Sequence, residues 1–466
     1  MKIKLSPNAF VRQFGPYSYI VNSRTNKDFV FSDAQWFLDS LSRVDVELSD
    51  IIRDLMSRYE GVDEEALRSD FLEFLSPLIR EGMVCVDGVM PKIPESDEHQ
   101  RHSVNGMAET TSTRDLLDLY FESEPTLFTL QMDVVQSCTE RCIHCYVPEY
   151  KNTILSFDKI KTIINEFKEM GGLVLSLSGG ECMMHPQFSN ILLYAHENDI
   201  LIKVLSNLTL CNDKIVLALK QVGAEVQTSL YSMDYRIHDA ITQKPGSWAT
   251  TKQAIERLHR AGVACVISCP IMNANQDEFP GVYEYASGLG CHAQADFMII
   301  AKMDGDTRNL ACRISDDKIE ALLKYLSELS VHKNKEYFSA YFKPNGLKSS
   351  DHNEWLNRCL CSAGVSRMCL GADGRYFPCP GFGGYVLGNC FSDSLDWVWN
   401  KSPNMLKLRR IKGRDFVKCA ACQDRKYCSI CLCRNFNETG DMLTTPEFDC
   451  RVARINRRVI EGYRHT

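Results

Sequence analysis

The 466-residue sequence contains no run of about 18 apolar residues, the least a membrane-spanning helix requires. Its opening stretch, MKIKLSPNAFVRQFG, lacks the apolar core of a secretory signal. Together these absences predict a cytoplasmic protein with no membrane contact. They also change the meaning of the 21 cysteines: in a reducing compartment they read as metal ligands rather than disulfides. Positive charge is scarce at the front of the chain. Residues 1–95 carry 11 Lys/Arg against 16 Asp/Glu, the wrong sign for a phosphate backbone, so nucleic acid is not expected as a partner.

What is present is uneven. Ten cysteines fall between Cys359 and Cys433, and Cys450 follows. Residues 401–466 hold 15 Lys/Arg against 7 Asp/Glu. Such a basic end is either a solvated surface or compensation for anionic metal–thiolate groups. With 44% hydrophobic and 24% charged residues, the chain has enough apolar material for a core, and its length predicts several domains.

Residues 1–88 begin with short Val-, Ile-, Phe- and Tyr-rich runs. SDAQWFLDSLSR follows, with Ser32 and Asp33 as helix caps, then two further helical patterns. This order suggests a winged-helix-like unit. Residues 89–125 read as a linker, polar and aperiodic over their first part. Over 126–335 strand candidates alternate with amphipathic helices: LFTLQMDVV, LVLSL, LIKVL, EVQTSL, VACVISC and DFMII. Six βα repeats predict an α/β fold with a parallel sheet, a partial (β/α)6 TIM-like barrel. Residues 336–466 form a cysteine-rich module ending in a helix.

In QSCTERCIHCYVPEY, Cys138, Cys142 and Cys145 follow the first strand of the repeats directly. They therefore belong at the C-terminal mouth of the sheet, where α/β proteins place their chemistry. Thiolates select zinc or iron–sulfur clusters. Three thiolates on a cubane leave one iron open to a chelating amino-carboxylate; a partial zinc site is the plainer alternative.

This spacing, with His144 before the last cysteine, resembles the radical S-adenosylmethionine (radical SAM) family. The resemblance continues in LSLSGGECMMHP, a Gly-Gly-Glu motif, in LSNLTL, where the family often has Thr-Asn-Gly, and in VQTSLYS. It implies a [4Fe–4S] cluster on the three cysteines. S-adenosyl-L-methionine would be held by His144, Ser178, Gly179, Gly180, Glu181, Ser206 and Ser229. Glu181 would help to hold the ammonium, and Ser206 would bond a ribose hydroxyl. A 5′-deoxyadenosyl radical would then abstract hydrogen, fed by an electron donor such as flavodoxin or ferredoxin.

The C-terminal run CSAGVSRMCLGADGRYFPC…CAACQDRKYCSICLCRN resembles the SPASM extension, which holds two auxiliary [4Fe–4S] clusters, three in all. By that resemblance Cys419, Cys422, Cys428 and Cys450 bind one. Cys361, Cys379 and Cys433 (or Cys431) bind the other, with Cys359 or Cys369 as fourth ligand. The family's expected cysteine position is Leu432 here. Paired zinc ribbons are the alternative. The N-terminal unit resembles the PqqD-like leader-recognition element of enzymes that modify ribosomal peptides, in which a leader adds beside the strand near Lys27–Ser32. The combination implies a maturase that crosslinks a ribosomal precursor peptide through a thioether or carbon–carbon bond. An anaerobic sulfatase-maturase-like oxidase is one rival; it would carry Asp where this chain has Pro380. A zinc-binding peptide adaptor without catalysis is another.

Overall fold

The computed structural model describes residues 1–89, 113–333 and 352–463, apart from 26, 33 and 60. Two compact units result: Met1–Ser123 with Asp199–Leu201, and Glu124–Asn198 with Ile202–Thr466.

The first unit contains β1 (Lys2–Leu5), β2 (Ala9–Phe14), β3 (Tyr17–Asn22), β4 (Asp28–Ser32), β5 (Val46–Glu47) and β6 (Val84–Val86). They form two antiparallel sheets, ordered β5-β1-β6 and β2-β3-β4. Among the described residues β4 pairs with β3 alone, which makes it an edge strand. Helices span Gln35–Asp39, Leu48–Arg58 and Glu64–Arg80. The third starts because Asp63 accepts a hydrogen bond from Ala66 N–H at 3.0 Å, and it buries Leu67, Phe71, Leu75 and Leu78 at helical spacing. These side chains meet Ile3, Ile20, Leu38 and Leu55 in one apolar core.

Two expectations change here. Ser32 ends β4 instead of capping a helix; the first helix has Ala34 at its N-terminus and no side-chain cap, while Asp33 lies outside the described residues. The linker expected over 89–125 is also shorter. Residues 90–112 are outside the described residues, but Thr113–Ser123 is a helix that buries Leu117 and Phe121. Phe121 stands edge-on to Phe14 with ring centroids 5.2 Å apart.

In the second unit β7 (Thr129–Val135), β8 (Val174–Gly179), β9 (Leu201–Leu205), β10 (Glu225–Ser229), β11 (Cys265–Pro270) and β12 (His292–Asp296) lie side by side in chain order. The pairing is parallel, with Met132 opposite Leu177 and Val226 opposite both Val204 and Cys265. The connecting helix Phe157–Glu169 is typical. Ser156 caps it, accepting from Lys159 N–H, and Ile160, Ile163, Ile164 and Phe167 are buried against the sheet. The last strand is HAQAD, not DFMII: Ala293 and Ala295 point inward between exposed ends, and alanine carries little β-propensity to advertise a strand.

The sheet does not end at β7. β13 (Arg367–Leu370) pairs parallel to it, Arg367 opposite Thr129 and Leu370 opposite Met132. β14 (Arg375–Phe377) and β15 (Gly388–Asn389) then extend it to nine strands. The cysteine-rich segment, expected as a separate domain from residue 336, therefore shares the sheet of the βα repeats. The helix Glu447–Tyr463 closes the chain and is tied to the helix Asp316–Lys333 by ion pairs Arg451–Asp316 and Arg458–Glu320. Among the described residues no helix is long and apolar enough to cross a membrane.

Candidate active site

The loop after β7 carries Cys138, Cys142 and Cys145. Its backbone is anchored by Arg141 N–H to Thr242 O at 2.9 Å and Ile143 N–H to Ile241 O at 3.0 Å. Asn309 Nδ2 adds a bond to His144 O at 3.1 Å. The three sulfurs lie within electrostatic range of one another. Cys138 Sγ accepts from Glu140 N–H at 3.5 Å and from Asn207 Nδ2 at 3.7 Å. Cys142 Sγ is 3.5 Å from Glu140 Oε2 and 3.9 Å from the Tyr231 hydroxyl. Burial pushes the Cys138 thiol up to about 12 and Cys142 well above its ordinary value. Without cationic charge such thiols stay protonated; a bound metal cluster is the partner that would make them thiolates. The donor set, three half-buried sulfurs on one anchored loop, fits a cubane with one open iron.

His144 lies beside the same cluster of side chains through Tyr231. Its Nε2 is 3.0 Å from the Tyr231 hydroxyl, and burial lowers its pKa to about 4, so the imidazole is neutral. Ser229, at the end of β10, also bonds the Tyr231 hydroxyl.

The Gly-Gly-Glu motif ends β8 against the cysteine loop. Gly179 has φ +136°, and a Cβ there would lie 2.2 Å from Val135 O; at Gly180 it would lie 2.2 Å from Ser137 O. The absence of side chains lets Gly180 N–H reach Val135 O and Glu181 N–H reach Ser137 O, both at 2.9 Å. The glycines' visible task is thus close approach to the cysteine loop itself. Ser178 sits beside Asp133 in the β7–β8 register.

Two residues expected at the ligand have partners within the protein. The Glu181 carboxylate is buried and already bonded: Oε1 accepts from Met183 N–H at 2.9 Å and Ser206 Oγ at 2.8 Å, and Oε2 accepts from Asn207 N–H at 2.8 Å. It braces β8 to the end of β9. Ser206 in turn accepts from Leu208 N–H at 2.9 Å, so its hydroxyl is held within the loop. The residue aimed at the cysteines is Asn207, which also bonds Thr139 at 2.9 Å. Leu208, where the family motif has glycine, adopts φ +63° while fully buried.

Sequence reasoning missed Asp133. Alternation puts it on the inner face of β7, away from buried Met132 and Val134. Gln131 Nε2 donates to it at 3.2 Å, and burial raises its pKa to about 6. Tyr146, one residue past Cys145, lies within electrostatic range of Asp133, Cys369 and Cys379 as well as Cys145. Asp133 and Tyr146 therefore lie between the three-cysteine loop and the cysteine-rich segment.

In that segment Cys419, Cys422, Cys428 and Cys450 line one cavity of about 120 Å³, with Thr445 and Arg454. Among the described residues no three His, Cys, Asp or Glu converge as ligands of a single ion. Sulfurs spread around a cavity suit a polynuclear cluster better than one zinc with bonds of ~2.3 Å. Cys361, Cys379 and Cys433 also meet, and Cys431 is with them: Cys433 is within hydrogen-bonding reach of Cys379 and Cys431, and Cys361 lies near Cys379 and Cys431. Cys359 lines a small cavity with Cys361 and has a cation beside it. Lys412 Nζ donates to its sulfur at 2.9 Å, and the thiol is 3.6 Å from Arg409 O. Cys369 is on β13, beside Asp133, Asp373 and Cys379. Buried Arg434, paired with Asp449 at 3.1 Å, lies near both Cys431 and Cys428, a cation between the two sulfur sets.

Comparison with known proteins agrees with this layout. A model of the radical SAM superfamily matches residues 132–286, and one of the iron–sulfur cluster-binding SPASM domain matches residues 361–431. The chain is 25% identical over 331 residues to the AdoMet-dependent heme synthase of Methanosarcina barkeri, covering 67% of this chain and 93% of that protein. It is 26% identical over 319 residues to the antilisterial bacteriocin subtilosin biosynthesis protein AlbA of Bacillus subtilis, covering 66% and 67%. The crystal structure of Streptococcus suis SuiB bound to precursor peptide SuiA has the same fold, with a TM-score of 0.61 at 15% identity over 94% of this chain and 97% of that one.

Proposed function

We propose that this chain is a radical SAM maturase that modifies a ribosomally made precursor peptide. The observation that carries the reading is the joining, in one chain, of the three-cysteine loop and its Gly-Gly-Glu support to an N-terminal unit with an edge strand, β4. That unit is read as a PqqD-like, winged-helix-like recognition element. A leader peptide adds as a strand at β4, where the backbone supplies affinity, while Phe29 and Phe31 fasten that strand to the unit's core. The six parallel strands are read as a partial barrel whose polar inner row faces the core peptide.

Cys138, Cys142 and Cys145 hold the first cluster, and Cys419, Cys422, Cys428 and Cys450 hold an auxiliary one; a third is assigned to the set around Cys379. A cluster and S-adenosylmethionine bound at these three cysteines would supply the hydrogen-abstracting radical chemistry, which belongs to the cofactor. The chain's own part is positioning and protection. Glu181 fixes the loop after β9, His144 and Tyr231 wall the pocket, and Asp133 takes up a proton from the substrate inside it. The product is a thioether or carbon–carbon crosslink. A small flavodoxin or ferredoxin in the cytoplasm supplies electrons.

Co-expression with a candidate precursor peptide, followed by mass spectrometry, tests the reading. Loss of two hydrogens (about 2 Da) supports it, as does roughly twelve irons per chain for three cubanes. The likeness to the heme synthase favours a second reading. Heme formed from a porphyrin precursor, with the peptide left unaltered, would replace the proposal.

A further inference from the structure

We infer that Cys361, Cys379, Cys431 and Cys433 together form a closed four-thiolate site, so that the auxiliary cluster they hold has no open iron and Cys359 stands outside it. This rests on the reading that the cysteine-rich segment carries iron–sulfur clusters. What it adds is which sulfurs complete the set, and hence what that cluster can do.

The neighbour relations form a circuit. Cys433 reaches Cys379 on one side and Cys431 on the other. Cys361 lies near both Cys379 and Cys431. The local backbone explains how a Cys-Leu-Cys sequence can present two sulfurs to one side. Cys431 is the extended N-cap of the helix Leu432–Thr439, and Cys433 is its second residue. The intervening Leu432 lines a small cavity with Cys359, Cys361, Leu408 and Arg409. Room for the Cys433 sulfur comes from Gly381, where a Cβ would lie 3.0 Å from it. Compensating charge is at hand in buried Arg434, near Cys431. Cys359 instead faces a cation, with Lys412 Nζ 2.9 Å away.

A cubane with four thiolates has no site at which a peptide thiol or amine could bind iron, so its role is to accept and pass electrons. A cubane with three readily loses its open iron on mild oxidation. That difference gives a test independent of turnover. The full-length protein carrying Cys138→Ala, Cys142→Ala and Cys145→Ala, and so keeping only auxiliary clusters, is reconstituted anaerobically and oxidised with ferricyanide. It is examined by electron paramagnetic resonance and iron analysis. We expect no [3Fe–4S] signal from this parent. Adding Cys359→Ala should change neither the spectrum nor the iron content. Adding Cys431→Ala should either produce a [3Fe–4S] signal or lose about four irons per chain, with circular dichroism checking the fold.

A [3Fe–4S] signal already in the parent would overturn the inference, because an iron would be open. So would a Cys359→Ala variant that loses iron while Cys431→Ala keeps it, or a Cys431→Ala variant indistinguishable from the parent. Failure of the broader reading looks different: the parent would bind no iron–sulfur cluster at all.

Discussion

Ser206 Oγ donates to Glu181 Oε1 at 2.8 Å inside the protein, joining the end of β8 to the end of β9. A buried carboxylate that accepts from two backbone amides, a hydroxyl and the Cys182 thiol is a structural brace. Glu181→Gln replaces one acceptor oxygen by an NH2 group and sets it against one of those donors. We expect this variant to lose about 1–3 kcal/mol of stability in anaerobic urea unfolding. Ser206→Ala should lose about 1 kcal/mol. Unchanged unfolding midpoints with a raised KM for S-adenosylmethionine would instead return both residues to a ligand-binding role.

Leu208 offers a test with an unusual order. At ordinary positions glycine is worse than alanine. Here the backbone is left-handed at φ +63°, where alanine keeps a strain of roughly 1 kcal/mol that glycine does not. Both substitutions remove a fully buried leucine and should cost about 2–5 kcal/mol. Leu208→Gly is nevertheless expected to be about 1 kcal/mol more stable than Leu208→Ala by urea unfolding.

Asp133 couples stability to pH. Burial raises its pKa from 3.8 to about 6, so the fold favours the protonated form. The favourable contribution is fully present below pH 3.8 and is lost as pH rises through about 6. Above that range the half-buried carboxylate costs up to about 3 kcal/mol. Asp133→Asn should therefore be more stable than the parent at pH 8 and nearly equal at pH 4, while peptide product falls by at least tenfold. Equal stability difference at both pH values would show that the carboxylate is not held as described.

Removing residues 1–88 should leave S-adenosylmethionine cleavage within about twofold and abolish micromolar leader binding, which corresponds to roughly −8 kcal/mol. Fluorescence anisotropy with a labelled leader measures the second effect, and 5′-deoxyadenosine release the first. A truncated chain that still processes precursor at the full rate would remove the leader-binding role from this unit.

The sequence announced its periodic parts. Ile160, Ile163, Ile164 and Phe167 were readable as a buried helix face, and all four are buried. The cysteine spacing and Gly-Gly-Glu marked the loop that the structure anchors between β7 and β8. Other parts needed contacts between distant residues. No local pattern says that Cys359 meets Lys412, or that Cys433 comes within reach of both Cys431 and Cys379. Asp133 was visible only as one polar residue in an alternating strand. The helix Asp316–Lys333 was legible but overlooked: Ile319, Leu322, Leu323 and Leu326 recur at helical spacing within a polar stretch.

The parallel pairing of β13 with β7 also bears on how the protein is made. Thr129 emerges from the ribosome more than two hundred residues before its partner Arg367. Until then one edge of the first parallel strand has unpaired amides and carbonyls, a template for another chain. Pairing over so long an interval is slow. A chain whose translation is interrupted before about residue 370 should therefore aggregate through this edge, whereas release at full length lets β13 cover it.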